Sequence, residues 1–280
     1  MVKWQSILQL RTIKFNIEKL KLGIILLVCM LAVGCAGTKN FLALPDAAKQ
    51  QIKSSKFVLV HSQDELNAAV NKSNMSRATG GGLLFVLIDA AVTNKRANET
   101  ENLLAPIRSE LINFDMDKEI KQAILPVVSS TPWLYAQNIS DITIAHGNYP
   151  DIVKQISNDA TNNKDVVGVF SSVYILNANF TTLEVAVALE LYPLSPNLKN
   201  LQEYSTKKKK QNQPLPIYKI NLVYNKNIET KTNNAKENAK LWAANNGQAI
   251  KNALQEAVTK ISLQLNKNLQ NPENLDVSIN

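Results

Sequence analysis

The feature that most constrains this 280-residue chain is an uncharged apolar run near its start, from Leu22 to Gly34. A helix needs about twenty apolar residues to cross a bilayer, so this run is short for a permanent span. Its length fits the hydrophobic region of a secretory signal peptide. One acidic residue, Glu18, and five basic ones precede the run: Lys3, Arg11, Lys14, Lys19 and Lys21. We therefore expect residues 1–34 to be a cleaved leader; the alternatives are an uncleaved signal anchor and a buried core helix.

The apolar run ends in Ala32-Val33-Gly34-Cys35, with Leu31 just before it. This sequence resembles the lipobox of bacterial lipoproteins, in which small residues let lipoprotein signal peptidase cleave before a cysteine that carries diacylglycerol. The resemblance implies cleavage between Gly34 and Cys35 and a lipid on Cys35. The chain departs from the family pattern at one place, because the usual leucine three positions before the cysteine is Ala32 here.

The position of the cysteines and of Ala36 bears on the compartment. Cys29 and Cys35 are the only cysteines, so the chain beyond the leader is expected to fold without a disulfide. In proteobacterial lipoproteins, an aspartate after the lipidated cysteine retains the protein in the inner membrane. Ala36 stands at that position here. The resemblance therefore implies an outer-membrane lipoprotein that faces the periplasm, held to the membrane by the lipid on Cys35.

Much of the net charge of +8 belongs to the leader. Without residues 1–34, the chain keeps 26 basic and 22 acidic residues (31 − 5 and 23 − 1), a net charge of +4. Nucleic-acid binding is therefore not indicated. The remaining length of about 245 residues suits one largish domain or two small ones and is enough to bury a core.

The chain beyond the leader is predicted to comprise a tether at 35–52, a single periplasmic domain at 53–270 and a disordered tail at 271–280. The tether contains one short helix that starts after Pro45. Strand-like and helix-like patterns are interspersed in the domain, which predicts an α/β fold that leans toward α+β. We expect a mixed, partly antiparallel sheet with packed helices and a long C-terminal amphipathic helix.

The clearest strand signal extends from Asp165 to Tyr192, where two β-prone segments flank a turn at residues 177–179. The odd-numbered positions 183–191 are apolar and share one face, whereas Glu184 and Glu190 point to the other. This alternation predicts a half-buried antiparallel hairpin with both glutamates solvated. Six residues along a strand correspond to about 20 Å, so the two carboxylates are too far apart to act as an acid–base pair.

Other patterns predict strands at 57–61, 142–144 and 217–224 and helices at 64–70, 103–112, 117–128, 150–158 and 238–269. Pro106 is expected to kink or restart its helix, and residues 245–247 are expected to break the last one. The order of elements from Asp165 to Leu269 is similar to that of periplasmic lipoproteins of the curli-secretion-channel and TolB-amino-terminal type. In those proteins a C-terminal helix closes a meander of strands, but such a likeness gives no function.

Residues 80–92 form a second notable stretch, which starts with Gly80-Gly81-Gly82, is apolar on every side and ends at Val92. Such a segment is buried in a core or contacts lipid or a partner. It is too short to span a membrane and carries Asp89. No Gly-Lys-Ser/Thr follows the glycines, so a phosphate-binding loop is not indicated.

Two groups of residues are candidates for partner contact. Trp133 and Tyr135 follow Pro132 in a loop-like setting, where aromatic side chains either pack beneath the loop or form an exposed partner site. The second group is a run of four lysines in a long polar connection. Such a run is a solvated segment or an electrostatic contact with phosphate-bearing lipid or an acidic partner. Its members are Lys207, Lys208, Lys209 and Lys210.

No catalytic or metal-binding pattern is present in the sequence. His61 and His146 lie in separate segments without an acid or cysteine at ligand spacing, so no metal site is predicted, and we expect His61 to be structural. Gly-x-Ser-x-Gly and His-Glu-x-x-His are absent. We predict a non-enzymatic binding or scaffold component of an envelope assembly, without a cofactor and with an envelope protein as partner. The alternatives are an envelope hydrolase or transferase, and a carrier of a lipid or small ligand.

Overall fold

A computed structural model describes residues 41–61, 63, 65–69, 94–143, 149–158, 163–205 and 214–276. The chain divides into two units, Met1–Lys39 and Asn40–Asn280, and all described residues belong to the second unit. The elements in chain order are α1 (Asp46–Gln51), β1 (Ser55–His61), β2 (Asn67–Ala68), α2 (Asn94–Glu110), α3 (Met116–Ser130), β3 (Ile139–Thr143), α4 (Tyr149–Asn158), β4 (Val166–Leu176), β5 (Thr182–Pro193), α5 (Pro196–Ser205), β6 (Tyr218–Asn227) and α6 (Ala235–Gln270). The predicted α/β class with a mixed sheet and a long C-terminal helix is confirmed. Among these elements, no helix is both long and apolar enough to cross a membrane.

The sheet has the strand order β3-β1-β4-β5-β6, in which β3, β1 and β4 are parallel and β5 and β6 join antiparallel. The short strand β2 pairs in parallel with the last two residues of β4, beyond the stretch that pairs with β1. We call the end of the sheet at which β1, β3, β4 and β6 begin its amino end, and the opposite end its carboxyl end. These two ends carry different groups, as shown below.

Helices α2, α3 and α6 cover one face of the sheet and enclose the main core. The apolar stripe of α6 supplies Trp242, Ile250, Leu254 and Ile261, each of which is at most 2% exposed. Opposite them, Gly168 on β4 leaves room for the Phe57 ring, because a Cβ at this position would lie 2.2 Å from that ring. Burial of apolar side chains between the helices and this face of the sheet is therefore the main force that holds the helices in place.

The predicted break of the C-terminal helix is confirmed. Asn245, Asn246 and Gly247 have φ values of 53°, 58° and 68°, which lie in the left-handed region that Asn and Gly adopt most easily. The helix α2, in contrast, continues through Pro106 and does not restart there. The predicted helix at 64–70 is wrong, because Asn67 and Ala68 form strand β2.

The prediction that Glu184 and Glu190 are solvated is wrong. They are 5% and 8% exposed, and all residues of β5 except Thr182 are buried. The reason is that β5 lies between β4 and β6 and is covered on both faces. The alternation of apolar and polar residues along β5 therefore does not mean that its polar side faces water. Lys219 Nζ lies 2.7 Å from Glu190 Oε1, whereas Glu184 Oε1 has no hydrogen-bond partner among the described residues.

The predicted tether at 35–52 is wrong for its second half. Leu44, Ala48 and Ile52 are at most 1% exposed and belong to the main core. Leu42 forms two backbone hydrogen bonds with Lys219 of β6, and the Leu44 N–H donates to the Pro272 carbonyl at 3.0 Å. Buried apolar residues four positions apart thus pack this segment against the domain, and its helix α1 matches the predicted one.

The predicted disordered tail at 271–280 is also wrong for residues 271–276. The Asn268 side chain, 1% exposed, donates to the Asp276 carbonyl at 2.6 Å and accepts from the Asp276 N–H at 2.7 Å. Leu275 packs against the main core. Side-chain hydrogen bonds to the backbone therefore order a segment whose composition alone indicated disorder. Residues 277–280 and the apolar stretch at 80–92 lie outside the described residues.

Candidate functional site at the carboxyl end of the sheet

The neighbouring parallel strands β1 and β3 end together, with His61 and Thr143 opposite each other in register. In sheets with parallel strands, binding and catalytic groups gather at the carboxyl ends of the strands. His61 is the last residue of β1 and therefore occupies the position at which such groups are expected.

The His61 imidazole lies between two carboxylates that come from different elements. Its Nδ1 contacts Asp117 Oδ2 in the first turn of α3, and its Nε2 lies 3.3 Å from Asp141 Oδ1 on β3. The exposed fractions of the three side chains are 20%, 17% and 44%. The imidazole therefore links α3 to strands β1 and β3.

Two further side chains complete this group, which we call the His61 cluster: His61, Asp117, Asp141, Lys121 and Ser172. Lys121 Nζ bonds Asp141 Oδ2, and the Ser172 hydroxyl donates to Asp117 Oδ1 at 3.4 Å. The cluster thus combines a histidine and a lysine with two carboxylates. Asp117 also lies in the first turn of α3, where the helix dipole stabilises a carboxylate.

A buried glutamine, Gln63, hydrogen-bonds the backbone of β4 just beyond the His61 cluster. Gln63, 7% exposed, accepts a hydrogen bond from the Tyr174 N–H at 3.2 Å and donates to the Tyr174 carbonyl at 2.7 Å. It also donates to the Glu65 carbonyl at 2.6 Å. The Gln63 side-chain amide thus takes the place of a strand backbone between the end of β1 and the start of β2. The chain can therefore leave the sheet just beyond His61, because the Tyr174 N–H and carbonyl on β4 keep hydrogen-bond partners.

The arrangement limits the chemistry that the His61 cluster supports. Nucleophilic catalysis by serine needs a hydroxyl that donates to the histidine, but Ser172 donates to Asp117. Across the described part of the chain, no group of three or more His, Cys, Asp or Glu side chains has the geometry to hold a metal ion. As it stands, the cluster is an ion-pair network in which each carboxylate has at least two partners.

Other polar groups with shifted ionisation lie away from the His61 cluster. Burial raises the pKa of the Glu184 carboxyl above 4.5 and raises that of the Tyr218 hydroxyl. Burial, followed by a 2.5 Å hydrogen bond to Glu256, raises the pKa of Tyr224 to about 12. Hydrogen bonds from Lys226 and Tyr224 lower the pKa of Glu256. These shifts have structural causes and do not converge on one site.

The residues proposed for partner contact occupy different surroundings. Trp133 is half-buried, donates from Nε1 to the Leu269 carbonyl at 2.8 Å and meets the Tyr218 ring edge-on. Tyr135 is 53% exposed, with a φ of 50°. Both precede β3, so they lie at the amino end of the sheet and away from His61. Gly34, Cys35, His146 and the lysines at 207–210 lie outside the described residues.

Sequence reasoning placed His61 at a strand end but did not find its partners. Asp117 and Asp141 are 56 and 80 residues further along the chain, which no spacing rule connects. The available signal was positional, since an acid opening a helix and an acid within a strand can meet a histidine at the same end of a parallel sheet. No protein-family model matches this chain, and no curated protein matches it either.

Proposed function

We propose that this chain is a lipid-anchored lipoprotein of the bacterial cell envelope, facing the periplasm from the outer membrane. In this proposal it is a non-enzymatic binding or scaffold component of an envelope assembly. The observation that carries the proposal is the sequence Ala32-Val33-Gly34-Cys35 at the end of an apolar run with a basic start.

The mass of the N-terminal peptide tests the anchor, measured on protein expressed in a bacterial host with its own leader. We expect a peptide that begins at an acylated Cys35, and a Cys35→Ser variant that carries no lipid. A wild-type peptide that still contains residues 1–34 and no lipid contradicts the proposal. The chain would then be a signal-anchored protein, and the outer-membrane assignment, which depends on Ala36 following Cys35, would be withdrawn.

Two observations support the binding role. Tyr135 is exposed, and the carboxylates of the His61 cluster are each engaged with at least two partners. Crosslinking in intact envelopes, followed by identification of the captured protein, tests it. We expect Tyr135→Ala, or replacement of Lys207, Lys208, Lys209 and Lys210 by serine, to weaken capture. Ile112→Ala is the matched control, because Ile112 is 82% exposed at the other end of the sheet. A monomeric protein without any crosslinked partner contradicts the role. Trp133→Ala is unsuitable, because Trp133 supports the fold.

An envelope hydrolase or transferase is the second candidate, favoured by the carboxylates beside His61. A histidine that bonds a buried carboxylate through one nitrogen is a common general base. For His61 to act in this way, Asp141 has to release Nε2. Hydrolysis of chromogenic esters or of isolated cell-wall material by wild type, lost in both His61→Gln and Asp117→Asn, supports this candidate. Equal rates in wild type and both variants reject it.

A further inference from the structure

The chain enters the folded domain at the amino end of the sheet. Leu42 bonds Lys219 at the start of β6 through its N–H at 2.7 Å and its carbonyl at 2.9 Å. Leu42 is seven residues after Cys35. A fully extended chain spans at most about 3.6 Å per residue, so Leu42 lies within about 25 Å of Cys35. If Cys35 carries a lipid, the amino end of the sheet is therefore kept close to the membrane.

Exposed apolar side chains gather at this same end. Among the described residues, seven large apolar side chains are exposed, and four of them lie at the amino end: Phe41 at 40%, Leu42 at 37%, Tyr135 at 53% and Leu215 at 43%. Tyr135 precedes β3 by four residues, and Leu215 precedes β6 by three. Single exposed apolar residues need no explanation. Three of the four, Phe41, Leu42 and Leu215, lie beside the chain entry at β6, and such a group is typical of a surface that meets lipid headgroups.

Lysines also lie at the amino end of the sheet. The Lys53 N–H donates to Asp165 Oδ2 at 2.9 Å, and Lys164 is the neighbour of Asp165 in sequence. The Asp165 carbonyl accepts a hydrogen bond from the Ser195 N–H, and Lys199 lies one helical turn after Ser195, on α5. Lys49 lies on α1, which packs against α5. Lys53, Lys164 and Lys199 are exposed, and the Lys49 side chain is 31% exposed.

The acids at this end are largely occupied. The Asp165 carboxylate accepts from the backbone of Lys53 and from the backbone and hydroxyl of Ser54. Glu273 lies 3.8 Å from Lys49, and Asp46 is exposed. Around the His61 cluster the balance is the opposite, with Arg108, Lys118 and Lys121 against six acids: Glu65, Glu101, Asp115, Asp117, Glu119 and Asp141. The start of α6, at the same end of the sheet, carries the exposed Lys236 and Lys240. An anionic surface therefore attracts the amino end and repels the part of the carboxyl end that holds the His61 cluster.

We propose that the amino end of the sheet docks on the anionic phospholipid surface of the membrane that holds Cys35. This proposal rests on the lipid anchor proposed above. The lysines supply electrostatic attraction to the headgroups, and Phe41, Leu42 and Leu215 enter the headgroup region. The His61 cluster is then turned away from the lipid, because β1 places His61 about 20 Å beyond the amino end.

Energy transfer from a single fluorophore to headgroup-labelled lipid tests this orientation. The acylated protein without its leader has no free thiol, so Gln50→Cys on α1 and Ile112→Cys at the carboxyl end each give one labelling site. Both positions are exposed. The vesicles contain phosphatidylcholine with or without phosphatidylglycerol. With phosphatidylglycerol we expect stronger transfer from position 50 than from position 112, and a smaller difference as salt rises.

The lysines are tested by Lys49→Gln combined with Lys199→Gln. Each lysine near an anionic surface contributes about a fivefold factor to binding, so we expect the docking equilibrium to fall about 25-fold. Lys236→Gln combined with Lys240→Gln is the matched control, with the same charge change on exposed residues of α6 near the carboxyl end. We expect it to leave docking unchanged.

The possible results separate the docking surface from the anchor. Equal transfer from positions 50 and 112 in anionic vesicles, with the lipid on Cys35 verified by mass, overturns the docking surface and leaves the anchor intact. An equal loss of docking in the matched control also overturns it, because net charge then explains the effect. A Cys35 that carries no lipid overturns both proposals.

Discussion

Gln63→Met is the substitution that tests most directly how the sheet is completed above His61. Methionine matches the length of glutamine but cannot make the three hydrogen bonds of the Gln63 amide, two to the Tyr174 peptide and one to the Glu65 carbonyl. An intramolecular hydrogen bond contributes about 1 kcal/mol net, and losing one at a buried site costs more. We therefore expect Gln63→Met to lower the free energy of unfolding by about 3 kcal/mol, a large part of the 5–15 kcal/mol that is usual for a domain.

Urea denaturation followed by circular dichroism measures this change. With a slope of about 3 kcal/mol per molar urea, the midpoint is expected to fall by about 1 M. Gln248→Met is the matched control, because Gln248 is exposed and bonds only Asn252 among the described residues. We expect the control to change stability by less than about 0.5 kcal/mol. If Gln63→Met changes stability as little as Gln248→Met does, the side chain of Gln63 does not replace a strand backbone, and our reasoning about this gap in the sheet is wrong.

Three further predictions concern buried groups elsewhere in the domain. Glu184 has a folded-state pKa above 4.5, so the folded protein holds the Glu184 proton more tightly than the unfolded chain does, and wild-type stability falls as pH rises above that value. We therefore expect Glu184→Gln to be more stable than wild type at pH 7. Unfolding measured between pH 4 and pH 7 should show this advantage disappear as the pH falls. Asn268→Ala removes two hydrogen bonds to Asp276 and is expected to cost about 2 kcal/mol and to speed amide exchange at residues 271–276, whereas unchanged exchange there contradicts this ordering role. Gly247→Ala places a Cβ 2.6 Å from the Glu110 Cβ at a φ of 68° and is expected to lower the thermal midpoint by more than the exposed Ala249→Gly, with a cost of at least about 1 kcal/mol.

Elements whose sequence pattern repeats over many residues were predicted with the right type and nearly the right ends. The hairpin of β4 and β5 and the two parts of α6 are examples, because strand alternation and helical spacing act locally. The burial of Glu184 was not predicted, because it depends on β6 and on what covers the second face. Alternation shows which residues share a face and does not show whether the other face meets water.

The ends of the domain and the His61 cluster were missed for a related reason. Leu44 is ordered by Pro272, and Asp276 is ordered by Asn268 from the preceding helix. The three residues His61, Asp117 and Asp141 meet only once β1, β3 and α3 are assembled. Contacts of this kind follow from the topology of the sheet, which a single sequence specifies only through the whole fold.

Leu42 hydrogen-bonds Lys219, and Leu44 hydrogen-bonds Pro272. If the chain is exported as we propose, these contacts bear on the order of events during export. A protein directed by a leader crosses the inner membrane amino end first, so residues 41–52 arrive long before β6 and the end of α6. They have nothing to dock on until the last part of the chain has followed. In our proposal, residues 41–52 therefore stay undocked throughout translocation, while the acylating and cleaving enzymes act at Cys35, and they pack against the domain only after the last part of the chain has arrived.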